Sequence, residues 1–187
     1  MNPYQPVKDF ESALQDYTGA PYAVAVSSCT AALMLSVAWH VENSIRNTFY
    51  VEIPSRTYVS VPMSIIHAGG RPTFRDEEWL GAYQLKPLPV WDSARWFTGG
   101  HYRMVCERMA SAIGQFVSIS FHASKTLGIE YGGAILHDNA EADSWFRRAR
   151  FHGRTEGVPP KDDNFTFVGY DCRMPPSLAA IGLLKLY

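Results

Sequence analysis

Apolar residues along the chain follow two spacings, one typical of helices and the other typical of strands. Phe10, Leu14 and Tyr17 recur on one face of a predicted helix, whereas the short apolar run at 23–26 is typical of a buried strand. The Ser-Ser-Cys-Thr turn after that strand opens a second helix. The same two spacings predict helices at 7–17, 30–40, 57–67, 141–151 and 176–186, and strands at 23–26, 49–53, 71–74, 88–91, 117–121 and 134–137.

Strands and helices alternate through most of the chain. This order predicts an α/β protein of three layers, helix on sheet on helix, with a mainly parallel sheet. Pro62 lies inside the third predicted helix and is expected to kink it, while the polar stretch 153–167 is expected to be a loop. The pattern assigns no element to 96–114. With 187 residues, the chain is expected to form a single domain, 1–187.

Composition argues against several classes of protein. The formal net charge of −1 offers no general attraction for nucleic acid or for an anionic membrane. Cys29, Cys106 and Cys172 are widely separated and are predicted to be free thiols, and neither they nor the histidines have metal-ligand spacing. The first residues do not read as a signal peptide, and polar residues interrupt the apolar stretch 23–41, so we expect a cytoplasmic protein.

One lysine stands in an informative context. Lys125 follows the apolar alternation of 117–121 in a turn rich in serine and histidine, and a glycine pair at 132–133 precedes the next strand. Partial shielding from water favours the neutral amine, which is a nucleophile toward a carbonyl. An ordinary surface lysine in a turn is the alternative for Lys125 considered alone.

Two upstream segments carry complementary chemistry. Residues 27–30 place hydroxyls and backbone N–H groups at a helix N-terminus, which suits a phosphate, although a plain helix cap is the alternative. Asp92 follows an apolar strand, where open α/β sheets bind ligands, although it too could cap a helix. A phosphate cup, a carboxylate for a pyridinium and an amine for an aldehyde are the parts that a pyridoxal 5′-phosphate (PLP) enzyme needs.

These segments resemble the DegT/DnrJ/EryC1/StrS family of sugar aminotransferases. Residues 10–33 are similar to the family's opening, which usually reads Ser-Ser-Gly-Thr-Ala-Ala-Leu where this chain has 27–33. Residues 53–59 resemble its Pro-Ser-x-Thr-aromatic element, and 120–125 resemble Ser-Phe-His-x-x-Lys, its most specific motif. Other similar segments are 68–74, 92–94, 150–154 and 169–174, so the resemblance runs from about residue 8 to the end.

The resemblance implies the large-domain fold of PLP-dependent transferases, in a reduced form, and a role for each matched residue. Lys125 would bond to the cofactor's aldehyde and shuttle protons at the substrate carbon. Asp92, the second catalytic residue, would keep the pyridine nitrogen protonated. The remaining cofactor-binding residues would be Ser28, Cys29, Thr30 and Ser120 around the phosphate, with Tyr58 and Ala94 on the two faces of the ring.

The resemblance also implies the reaction and the partners. An amino group would pass from an amino acid, usually glutamate, to a keto-sugar nucleotide, and the protein would be a homodimer with two-fold symmetry. The alternative is a module of the same origin that binds PLP or dimerises without catalysis. The retained Lys125 and Asp92 favour the enzyme. A Rossmann-type nucleotide binder is disfavoured, because no Gly-x-Gly-x-x-Gly follows the first strand.

The chain departs from the family pattern at several positions. Only 17 residues separate Phe74 from Asp92, so at least one βα unit is expected to be missing, with an exposed sheet edge unless dimerisation covers it. Arg95 stands where glutamine or histidine is usual, and Asp171 where asparagine is usual. Cys29 replaces a glycine. The family's smaller C-terminal domain is expected to be absent, because the chain ends at Tyr187.

Overall fold

A five-stranded sheet lies at the centre of the computed structural model, which describes residues 3–44, 49–108 and 114–186. The helices are α1 (Gln5–Thr18), α2 (Cys29–Glu42), α3 (Ser60–His67), α4 (His101–Arg108), α5 (Ala140–Ala149) and α6 (Pro176–Leu186). The strands are β1 (Tyr22–Val26), β2 (Tyr50–Pro54), β3 (Arg71–Arg75), β4 (Tyr83–Gln84), β5 (Val90–Asp92), β6 (Phe116–Ser120) and β7 (Gly133–His137).

The sheet separates two hydrophobic cores, because successive side chains of a strand point to opposite faces. In β1, Ala23 and Ala25 join the core under α1, α4 and α6, whereas Val24 and Val26 join the core under α2, α3 and α5. β6 and β7 are buried along their whole length, as strands covered on both faces must be. The predicted three-layer αβα architecture is therefore confirmed.

The predicted elements are all present, with shifts of a few residues at their ends. Periodicity did not predict β4 or α4. The loop expected at 153–167 contains neither helix nor strand. Pro62, expected to kink α3 from within, instead lies in the first turn of that helix, where a missing N–H breaks no helical hydrogen bond.

The sheet is mixed, so the expectation of a mainly parallel sheet is wrong. Its strand order is β1-β7-β6-β5-β4, and only β5 and β6 pair in parallel, while β2 and β3 form a separate parallel pair. The reason lies in the connections. Residues 121–132 and 85–89 contain no helix, and links without a crossover return the chain antiparallel to the strand before them.

β4 and β5 form a hairpin within the short segment between Phe74 and the end of β5. β5 is paired on both sides, with β4 and with β6, so the hairpin covers this edge of β5 and β4 becomes the outer strand of the sheet. Lys86 in the hairpin turn exchanges backbone hydrogen bonds of 2.7 and 3.0 Å with Glu52 of β2. Arg75 of β3 donates to the carbonyls of Glu52 (2.5 Å) and Gln84 (2.8 Å). The two sheets are thus joined through this hairpin.

The three cysteines are free thiols, as the sequence predicts, and Cys29 and Cys172 are buried. Within the described ranges, no helix is both long and apolar enough to cross a membrane, and no cluster of histidine, cysteine or carboxylate side chains could hold a metal ion.

A buried ion-pair network ties α1 and β1 to α5. Glu11 is 2% exposed and Arg150 is 1% exposed. The Arg150 guanidinium donates to a Glu11 carboxylate oxygen, to the carbonyl of Ala25 (2.6 Å) and to Glu156 (2.9 Å). Glu11 also accepts a hydrogen bond from Arg147 at 2.7 Å. Removing the Glu11 carboxylate would leave the buried Arg150 guanidinium with one carboxylate partner, Glu156, in place of two.

We expect the substitution Glu11→Ala to lower the free energy of unfolding by about 3–5 kcal/mol, the usual cost of breaking a buried pair by removing one member. Urea denaturation followed by circular dichroism measures the change. Asp9→Ala is the matched control, because Asp9 lies exposed on the same helix and accepts a hydrogen bond from Gln5. A loss below about 1 kcal/mol for Glu11→Ala would contradict this account.

Candidate active site

A cavity of about 920 Å³ opens beyond the ends of β1, β5 and β6. These three strands run in the same direction, because β1 and β6 are both antiparallel to β7 and β5 is parallel to β6. Their carboxyl ends therefore meet at one edge of the sheet, where open α/β sheets bind ligands. All eight residues singled out from the sequence line this cavity: Ser28, Cys29, Thr30, Tyr58, Asp92, Ala94, Ser120 and Lys125.

Lys125 lies in the loop after β6 and is half-buried. Its backbone N–H donates to the carbonyl of His122 at 2.8 Å, and the N–H of buried Ile129 donates to the carbonyl of buried Phe121 at 3.0 Å, which closes the loop. Its ammonium makes no hydrogen bond or ion pair with another described residue, yet it lies close enough to Asp92 and Cys29 to affect their ionisation. The amine is thus presented to the cavity rather than neutralised by the protein.

Asp92 ends β5 and is 6% exposed. One carboxylate oxygen accepts the N–H of Ala94 at 2.9 Å, and the other accepts the hydroxyl of Tyr83 at 2.7 Å. Burial raises the pKa of Asp92, whereas these two hydrogen bonds and the charge of Lys125 oppose that rise. No described arginine or lysine forms an ion pair with Asp92. A buried carboxylate in this state fits a cationic ring nitrogen.

The hydroxyls at the base of the cavity fall into two groups. The Ser28 hydroxyl accepts the N–H of Ala31 at 3.1 Å, so it is the N-cap of α2, as the simpler alternative supposed. Thr30 donates to the hydroxyl of Ser60 at 3.0 Å, and Ser120 accepts the N–H of His122 at 3.4 Å. Thr30, Ser60 and Ser120 therefore offer hydroxyls beside a helix N-terminus, a combination that suits a phosphate.

Gly133 permits the close approach that brings these parts together. A Cβ atom at this position would lie 2.5 Å from the backbone nitrogen of Cys29 and 2.6 Å from the carbonyl carbon of Ser28. Only glycine lets β7 pass so close to the first turn of α2. The start of α2 is thereby fixed beside the loop that carries Lys125.

Two further predicted residues take contrasting positions. Tyr58 precedes α3 at the cavity mouth and is 74% exposed, so its ring is free to cover a bound planar group. Cys29 is buried, and burial together with the nearby Asp92 carboxylate raises the pKa of its thiol well above the usual range. The thiol is therefore neutral and unlike a reactive thiolate.

The sequence did not identify four residues of this region. Ser60, Arg56 and Thr57 line the cavity, and Tyr83 lies behind Asp92. Ser60, Arg56 and Thr57 belong to or follow the Pro-Ser-x-Thr-aromatic element, which was the available signal for them. No local signal marks Tyr83, because β4 is only two residues long.

The donor set fits PLP in each of its parts. The hydroxyls of Thr30, Ser60 and Ser120 could hold the phosphate, the buried Asp92 could hold the protonated ring nitrogen, and the Lys125 amine could reach the aldehyde.

Comparison with known proteins agrees with this geometry. The chain is 28% identical to the spore coat polysaccharide biosynthesis protein SpsC of Bacillus subtilis and 26% identical to the GDP-perosamine synthase of Caulobacter vibrioides. Each alignment covers 96% of this chain but 56% of the relative, so the chain spans about half the length of these proteins. The crystal structure of NtdA from Bacillus subtilis, which contains the cofactor PMP, has the same fold, with a TM-score of 0.70 and 20% identity over 97% of this chain and 47% of NtdA.

The family comparison covers the whole chain. A model of the DegT/DnrJ/EryC1/StrS aminotransferase family matches residues 1–88 and 88–187. The match includes every segment that contributes to the cavity. The chain therefore belongs to the DegT/DnrJ/EryC1/StrS aminotransferase family.

Proposed function

We propose that the protein binds PLP in this cavity and transfers an amino group from glutamate to a keto-sugar nucleotide in the cytoplasm. The observation that carries the proposal is the presence of the Lys125 amine and the buried Asp92 carboxylate in one cavity lined by hydroxyls. Family membership supports the reaction class, and the three free cysteines fit a reducing compartment.

Each residue would have a distinct task in this reaction. Bound PLP supplies an electron sink for the charge that develops when a proton leaves the substrate carbon. Lys125 would hold and move that proton, since its amine has no other described partner. Asp92 would keep the proton on the ring nitrogen. Thr30, Ser60 and Ser120 would bind the phosphate, and Tyr58 would cover the ring and exclude water.

Covalent trapping tests the assignment of Lys125. We expect borohydride reduction of the protein with PLP to leave the cofactor attached to Lys125, as located by peptide mass spectrometry. Lys125→Ala should abolish the label, and Lys161→Ala should retain it, because Lys161 lies exposed in the loop at 153–167. A label spread over several lysines, or none at all, would remove the enzyme proposal.

Arg95 is our candidate for binding the amino-acid substrate. It lies exposed at the cavity and makes no hydrogen bond or ion pair with any described residue. Arg56 lines the same cavity. A guanidinium binds a carboxylate through paired hydrogen bonds, so Arg95 is suited to the carboxylate of the amino donor.

We expect Arg95→Gln, which restores a residue usual in the family, to raise the apparent KM for glutamate in the conversion of bound PLP to PMP by about tenfold to a hundredfold, with little change in the maximal rate constant of that conversion. Absorbance followed at a series of glutamate concentrations measures both quantities. Arg71→Gln is the control, because Arg71 is exposed on β3 and does not line the cavity. An unchanged KM for the Arg95 variant would exclude this role.

A homodimer is part of the proposal, and α3 offers a surface for it. Val59, Met63 and Ile66 recur at helical spacing and are 58%, 48% and 57% exposed. Such an apolar helix face beside the cavity fits a second copy of the chain.

We expect sedimentation velocity to find a dimer that Ile66→Glu converts to monomer. Val168→Glu should leave the dimer intact, because Val168 is an exposed loop residue. A monomer before substitution would contradict the dimer.

A further inference from the structure

Tyr83 lies beside Asp92 because β4 and β5 form a hairpin. In the antiparallel register of β4 and β5, Tyr83 is paired directly with Asp92, and Gln84 with Trp91. Paired residues project to the same face of a sheet. Tyr83 is 3% exposed and does not line the cavity, so it lies behind the carboxylate.

The Tyr83 hydroxyl is part of a directed chain of hydrogen bonds. It donates to one oxygen of Asp92 at 2.7 Å, and it also forms a hydrogen bond with the hydroxyl of Thr57. A phenol has one proton to donate. Because that proton goes to Asp92, the Thr57 hydroxyl must donate to Tyr83. The order is therefore Thr57 to Tyr83 to Asp92.

The ring of Tyr83 is held in place independently of Asp92. The ring of Trp79 packs against it with centroids 4.7 Å apart. The Trp79 indole N–H donates to the carbonyl of Arg56 at 2.9 Å. Because its ring is fixed in this way, Tyr83 can hold the Asp92 carboxylate in one orientation instead of moving with it.

We propose that Tyr83 is a positioning residue that, supported by Thr57, keeps Asp92 ionised and aimed at the ring nitrogen of the cofactor. This inference rests on the proposed function and deepens it. Both oxygens of Asp92 accept one hydrogen bond from the protein, and each retains a lone pair for a further donor. The hairpin thus does more than cover a sheet edge.

Loss of the Tyr83 hydroxyl would change the pH dependence of cofactor binding in a definite direction. A hydrogen bond donated to a carboxylate stabilises its ionised form, so loss of the Tyr83 hydroxyl would raise the pKa of Asp92 further. Among the described residues, the titratable groups that interact with Asp92 are Tyr83 on β4, Cys29 on α2 and Lys125 in the loop after β6. Without the hydroxyl, Asp92 would be protonated up to a higher pH, and binding of a pyridinium would weaken most at low pH.

The test compares PLP with its analogue in which carbon replaces the ring nitrogen. We expect Tyr83→Phe to weaken PLP binding about tenfold to a hundredfold, with partial recovery as the pH rises, and to leave binding of the analogue within about twofold. Absorbance titrations between pH 6 and 9 give both affinities. Tyr102→Phe is the matched control, because Tyr102 is a buried tyrosine whose hydroxyl donates to the carbonyl of Gln115 and does not line the cavity.

The outcomes separate this inference from the proposed function. If the unsubstituted protein binds neither compound, the proposed function fails. If it binds PLP but Tyr83→Phe weakens both compounds equally, or neither, the inference fails while the proposed function stands. If Tyr83→Phe does not fold, Thr57→Val takes its place in the test. We then expect a smaller loss of affinity for PLP and none for the analogue. An equal loss of affinity for both compounds would exclude the positioning role.

Discussion

The proposed site depends on Asp92, a buried carboxylate that forms no ion pair with any arginine or lysine in the described part of the chain. Asp92 is 6% exposed and is held by two neutral donors, Ala94 and Tyr83. Burying an ionised carboxylate costs free energy unless positive charge or hydrogen bonds compensate. The protein supplies two hydrogen bonds. Under the proposed function, the protonated ring nitrogen of the cofactor would supply the positive charge.

The remaining charges of the cavity have the opposite sign and lie further out. Lys125, Arg56 and Arg95 line the cavity together with the hydroxyls at the N-terminus of α2. A ligand that is cationic at its ring and anionic at its phosphate matches this distribution, and so does an anionic substrate approaching from the mouth. The common direction of β1, β5 and β6 brings Lys125, Arg95 and the hydroxyls at the start of α2 to one edge of the sheet, whereas Arg56 follows β2 of the smaller sheet.

The sequence predicted residues whose neighbours along the chain are informative, and it did not predict contacts that depend on how strands pair. Lys125 and Asp92 stand next to apolar strands with distinctive neighbours, so their position at strand ends could be predicted. Tyr83 could not, because two residues of β4 carry no periodicity and its contact with Asp92 depends on the register of a hairpin. The antiparallel direction of β7 was not predicted for a related reason. Helix and strand patterns reveal the order of elements along the chain but not which strands pair in the sheet.

The most direct test of the central claim is the ¹⁵N NMR shift of PLP labelled at its ring nitrogen and bound to the protein. The account predicts the shift of a protonated pyridinium across neutral pH, lost in Asp92→Asn while the phosphate remains bound. A neutral pyridine shift in the unsubstituted protein, or the same shift in both proteins, would show that Asp92 does not hold the ring proton.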